Sequence, residues 1–91
     1  MMPLEEKDAQ LEEIVVSGIE KELVVFNDDF NTFDHVIETL IKVCKHSAEQ
    51  AEQCTWIIHH NGQCSVKLGN MESLKPLRDG ICDRGIDAEV L

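Results

Sequence analysis

The sequence predicts an α+β domain of order β-α-α-β-α-β: a three-stranded antiparallel sheet with helices packed on one face. Three observations lead there. Glu22-Leu23-Val24-Val25-Phe26 is a β-branched and aromatic run bounded by polar residues. Phe33, Val36, Ile37, Leu40, Ile41 and Cys44 recur at helical spacing on one face. Gln63-Cys64-Ser65-Val66-Lys67-Leu68 alternates polar and apolar with period two. At 91 residues and 43% hydrophobic, the chain has material for one domain with a modest core.

Each element can be justified in turn. Residues 1–20, with Glu5, Glu6, Asp8, Glu12 and Glu13, read as an acidic, flexible extension, and the domain proper takes 21–91. Within the extension, Leu11, Ile14, Val15 and Val16 precede a Ser17-Gly18 break and fit either a short strand or a short helix. The first strand stops at Asn27-Asp28-Asp29, whose side chains bond nearby backbone amides and so favour a turn. The first helix starts at Thr32 or Phe33, with Asn31 or Thr32 as its cap and Lys42 and Lys45 suiting its C-terminal end.

Ser47-Ala48-Glu49-Gln50 is a capping-box pattern that opens the second helix. Ala48, Ala51, Thr55 and Ile58 mark its inner face, it runs to His59 or His60, and Asn61-Gly62 ends it. The second strand follows, with one buried face. The third helix has two possible caps. Ser73 places Pro76 in the first turn, where a missing N–H costs nothing, whereas Asn70 places it further in and bends the helix. Leu74, Leu77 and Ile81 form its inner stripe, Arg84-Gly85 closes it, and Ile86 to Leu91 forms the last strand.

Charge narrows the function classes. Eighteen acidic residues against eight basic give a formal net charge of -10, so there is no basic face for nucleic acid or an anionic membrane. Four aromatics and no Tyr leave little base-stacking surface. The expected partner is neutral or cationic. No apolar run reaches the roughly 20 residues of a membrane span, and the first residues lack the basic and apolar regions of a signal peptide. The four cysteines include no CxxC pair, and reduced thiols in a cytoplasmic domain are expected.

Three constellations carry candidate chemistry. Asn27-Asp28-Asp29 serves either as a turn with a helix cap or as an acceptor cluster for a cation rich in N–H donors. It lacks the spacing and distal Glu of a calcium loop. His59 and His60 point about 100° apart on a helix and cannot chelate one ion from one face, but one of them suits a pocket rim. The pairs Cys54/His59 and Cys44/His46 invite a nucleophilic reading, yet no third group orients them, and no glycine-rich phosphate loop exists. The expectation is no catalytic residue, no metal and no cofactor.

The stretch from Leu23 to Ile37, with its Asn27-Asp28-Asp29 turn, resembles the opening of the Clp protease adaptor family, ClpS. Ala48 to Gln53 and Ile58-His59-His60-Asn61-Gly62 resemble that family's second helix, which ends in a His-x-x-Gly element. The resemblance covers residues 21–91. It implies a non-enzymatic adaptor that binds the free α-amine and large hydrophobic first side chain of an N-degron. Its substrate is then delivered to a ClpA- or ClpC-type AAA+ unfoldase and its protease.

Carried over by position, Asn27, Asp28, Asp29 and His59 would meet the α-ammonium. Asn31, Phe33, Val36, Thr55, Ile58 and Ile86 would line the side-chain pocket. Where the family has Thr-Pro-Met, this chain has Asn31-Thr32-Phe33, and polar Thr55 replaces an apolar residue. The different-class alternative is a module that docks on a protease or AAA+ partner without reading N-termini.

Overall fold

The computed structural model describes residues 20–91; the acidic extension and its Leu11 to Val16 stretch lie outside them. The elements follow the predicted order: β1 (Lys21–Phe26), α1 (Phe33–Cys44), α2 (Ala48–Asn61), β2 (Gln63–Gly69), α3 (Met71–Asp83) and β3 (Ala88–Val90). The sheet runs β2-β1-β3 with both pairings antiparallel, so the first strand is central. That position explains its composition: Leu23, Val24 and Val25 are all buried.

Leu23 and Val25 lie in one core cluster with Val36 and Leu40 of α1, Ala51 and Ile58 of α2, and Leu74 and Ile81 of α3. The helix stripes read from the sequence are therefore the faces that bury, except that Ala48, the first residue of α2, is exposed. Both predicted caps of the helix pair form. Thr32 Oγ1 accepts the His35 N–H at 3.1 Å, and Ser47 Oγ accepts the Gln50 N–H at 3.1 Å. α1 closes on Lys45, a non-glycine residue at φ 62, and α2 on Gly62 at φ 93.

Three expectations need correction or a choice. On β2, only Val66 is buried, and Leu68 is 57% exposed. The pairing Leu23↔Lys67 is followed by Val24↔Ser65, leaving Val66 as an extra residue. This bulge shifts the alternation by one, so Leu68 pairs with Glu22 on the side away from the helices.

The last strand is shorter than 86–91. Ile86 stays in the turn, its N–H donating to the Ile81 carbonyl at 3.4 Å, and pairing starts at Ala88. Gly85, at φ 86, supplies the left-handed residue that folds the chain back there.

The third correction concerns the start of α3. Asn70 is the cap, with its Oδ1 accepting the Ser73 N–H at 2.8 Å, so Pro76 lies inside the helix. Its missing N–H leaves the Glu72 carbonyl without the usual helix partner. Pro76 is exposed, and Pro76→Ala is expected to raise stability by about 1 kcal/mol or more, read from the urea midpoint. An unchanged midpoint would mean that the helix has already relaxed around the ring.

Candidate functional site

Three chain segments meet at one corner of the domain: the turn after β1, the end of α2, and the turn between α3 and β3. The Asn27 N–H donates to the Gly62 carbonyl at 2.8 Å, joining the first two. Asn31 Nδ2 donates to the Gly85 carbonyl at 2.8 Å, joining the first and third. His35 Nε2 donates to the Arg84 carbonyl at 2.8 Å, and Arg84 Nε donates to Thr39 Oγ1 at 2.8 Å. Thr39 is fully buried, so the α3–β3 turn is anchored on the flank of α1.

Asp28 builds the turn. Its Oδ1 accepts the Phe30 N–H at 2.8 Å and the Asn31 N–H at 2.7 Å, and its Oδ2 accepts Asn31 Nδ2 at 2.7 Å. Burial alone pushes this carboxyl up. The hydrogen bonds from the Asn31 backbone and side chain and from the Phe30 backbone together outweigh it, so the group sits below its ordinary 3.8.

A depressed folded-state pKa contributes stability that is complete above the unfolded value and is lost as pH falls through the folded one. Asp28→Ala is expected to cost about 1–2 kcal/mol at neutral pH, since these bonds go to a charged group. In melting curves taken at successive pH values, its gap from the parent protein should shrink below about pH 4. A gap independent of pH would assign the cost to backbone conformation instead.

The other polar residues read from the sequence are less engaged. Asn27, Asp29 and His59 are exposed, and among the described residues no side-chain hydrogen bond holds them. Asn27 and His59 share the corner fixed by the Asn27–Gly62 bond, because His59 lies one turn before Gly62 at the end of α2. Asn31 is a strut between Asp28 and Gly85.

The apolar residues are of two kinds. Val36, Thr55, Ile58 and Ile86 are buried, at 8%, 2%, 3% and 3% exposure, and the Thr55 hydroxyl donates to the Ala51 carbonyl at 2.7 Å. Phe33 is half-buried at the first position of α1. Its ring meets Trp56 edge-on at 5.2 Å and His59 at 6.1 Å between centroids. An open groove of about 560 Å³ follows the outer flank of α1, but Thr32, Asp34, His35 and Ile37 line it, not these residues.

Sequence reasoning passed over two features. Trp56 and His60 stack in parallel at 4.7 Å, their planes 5° apart, and Trp56 is 49% exposed. Their spacing of four on a helix was the available signal. The Arg84 anchor was invisible because it joins residues 45 apart in sequence.

The cysteine chemistry considered from the sequence finds no arrangement here. All four thiols are free. Burial pushes Cys44 up to about 11 and Cys64 up to about 12, and it raises Cys54 as well, the opposite of an activated nucleophile. His46 is buried with its Nε2 donating to the Val66 carbonyl at 2.9 Å, away from any role on Cys44. Among the described residues no group of three or more His, Cys, Asp or Glu is placed to hold a metal ion, and no helix is long and apolar enough to cross a membrane.

Comparison with known proteins decides the family. Residues 20–85 match the family described as ATP-dependent Clp protease adaptor protein ClpS. The chain belongs to the ClpS family. A ClpS adapter protein from Thermosynechococcus vestitus is 32% identical over 65 residues, covering 70% of this chain and 69% of that one. A ClpS from a Nostoc species is 41% identical over 51 residues, covering 55% and 53%.

The E3 ubiquitin-protein ligase UBR1 of Drosophila melanogaster is 34% identical over 74 residues, which is 81% of this chain and 4% of that protein. Among solved structures, ClpS2 of Agrobacterium tumefaciens bound to L-phenylalaninamide has a TM-score of 0.67 at 12% identity, covering 79% of this chain and 94% of that one. This likeness establishes the shared ClpS fold: three helices and a three-stranded antiparallel sheet.

Proposed function

We propose that this ClpS-family domain is a non-catalytic receptor for N-degrons, binding a free α-ammonium together with a large hydrophobic first side chain. The observation that carries the reading is a turn that Asp28 holds rigid and that the Asn27 N–H ties to the end of α2 beside His59, with no side-chain hydrogen bond on Asn27, Asp29 or His59 among the described residues. An α-ammonium has three N–H donors and one positive charge. Asn27 offers its amide oxygen, His59 a ring nitrogen, and Asp29 a carboxylate. Asp28, its oxygens already engaged, acts by positioning.

The first side chain would enter between α1, α2 and the α3–β3 turn, against Val36, Thr55, Ile58 and Ile86, with Asn31 bracing the wall. Val36, Ile58 and Ile86 lie in the core cluster and Thr55 is buried, so entry would require the half-buried Phe33 ring to move aside. Burying a Phe or Leu side chain is worth about 1.5–3 kcal/mol, consistent with affinities in roughly the micromolar range. Support also comes from the phenylalaninamide bound to the structural neighbour, a ligand that carries a free α-amine and a benzyl side chain.

Delivery to a ClpA- or ClpC-type AAA+ unfoldase completes the proposed role, in keeping with the adaptor family. The likeness to a segment of an E3 ubiquitin ligase favours a second reading of delivery alone: the same receptor feeding a ubiquitin ligase. Peptides beginning with Phe, Leu, Trp or Tyr, titrated by calorimetry, should bind, while otherwise identical peptides beginning with Gly or Glu should not. Partner pull-down without any such preference would favour the docking module that ignores N-termini.

A further inference from the structure

We propose that Trp56, stacked on His60 and edged by Phe33, is a subsite for the second side chain of the bound peptide, and that it takes arginine. The inference rests on the N-degron reading above. An extended chain sends successive side chains to opposite sides, so when the first enters the cleft the second stays outside it, where a long side chain can fold along the rim. The rim beside His59 is aromatic. His60 lies 5.4 Å from His59 between ring centroids, and Trp56 lies 4.7 Å further on, against His60. One residue of extended chain advances about 3.3 Å, and the reach of a long second side chain covers the rest of the distance to the indole.

The ring is also prepared for a ligand. The parallel imidazole fixes the indole plane and Phe33 contacts it from α1, yet 49% of Trp56 stays open to solvent. A fixed, half-exposed indole is the best side-chain acceptor for a planar guanidinium.

Charge selects the occupant. Residues 27–36 and 52–60, which carry these side chains, contain four acidic residues and no Lys or Arg, while Glu38 further along α1 is paired with Lys42 at 3.1 Å. Glu52 is one turn from Trp56 on α2, and Asp34 follows Phe33 on α1; both are exposed. Arg84, the basic residue that reaches α1 from the α3–β3 turn, is held by Thr39 and Glu38. A second-position arginine thus gains stacking and opposite charge, and a second-position glutamate meets repulsion.

The test uses peptides Phe-Arg, Phe-Ala and Phe-Glu with identical remaining sequences, titrated by fluorescence anisotropy at low ionic strength. Phe-Arg should bind about threefold to tenfold tighter than Phe-Ala, with Phe-Glu the weakest. Trp56→Ala should bring the Arg-to-Ala ratio near one, read as a ratio because Phe33 loses its contact with the indole as well, and Trp56→Phe should restore part of the ratio. Equal Phe-Arg and Phe-Ala binding by the parent protein would overturn the subsite, as would a ratio that survives Trp56→Ala. A Phe-Ala peptide that fails to bind, or binds equally when acetylated, would overturn the parent reading and the subsite with it.

Discussion

His59→Ala is expected to weaken binding of a free-amine Phe peptide by about tenfold to a hundredfold, because a hydrogen bond to a charged group is worth about 1.5–3 kcal/mol. The melting temperature should barely change. His59 is exposed at the end of α2, its ring touches Phe33 and His60 only by edges, and Ile58 beside it carries the packing. Asn27→Ala should give the same pattern, since the tie between its segment and α2 is a backbone bond to Gly62 that the substitution keeps. The two variants together should lose less than the sum of their separate effects if both meet one ammonium. Asp28→Ala differs in kind, because it lowers stability and affinity together. A His59→Ala protein that binds as tightly as the parent would remove the ammonium site from this corner.

The second large effect falls on the apolar wall. Ile58→Ala is expected to cost about 2–5 kcal/mol of unfolding free energy, measured by urea denaturation. Ile58 is 3% exposed within the cluster that joins α1, α2 and the sheet, so truncation leaves a cavity. Ile58→Val should cost only about 0.5–1.5 kcal/mol. Because the proposed pocket and the core share this residue, the two substitutions separate its roles. The valine variant remains folded, and any change in its preference among Phe, Leu and Trp peptides reports on the pocket. A small loss in the alanine variant would show that Ile58 faces a space already open.

The helices were legible because their signals are local. Ser47 caps as its sequence context predicts, Thr32 is the one of the two candidates that caps the first helix, and the stripe through Val36, Leu40 and Cys44 is the one that buries. The strands were legible in existence and less so in extent, because a strand is defined by its neighbours. The bulge at Val66 follows from pairing against β1, and so does the exposure of Leu68. The last strand begins at Ala88 because Gly85 and the Ile86–Ile81 bond hold the preceding residues in a turn.

The candidate site divides in the same way. Asn27-Asp28-Asp29 and His59 stood out by composition and resemblance, but their separate tasks did not. Asp28 is committed to its own turn by three hydrogen bonds that depend on the conformation of Phe30 and Asn31. The Trp56–His60 stack needs ring orientations, and the Arg84 anchor needs the whole fold. The net charge of -10, which in sequence excludes nucleic acid and anionic membranes, gains a location from the structure. Residues 27–36 and 52–60, which build the proposed binding face, hold four acidic residues and no Lys or Arg.

The account stands on recognition of an unmodified α-amine. A Phe-initial peptide and its N-acetylated twin, titrated under identical conditions, differ in two N–H donors, one positive charge and the acetyl group. The free peptide should bind with roughly micromolar affinity and the acetylated one not measurably, because Asn27, Asp29 and His59 would face a neutral amide. Equal affinity for the two peptides would contradict the account directly.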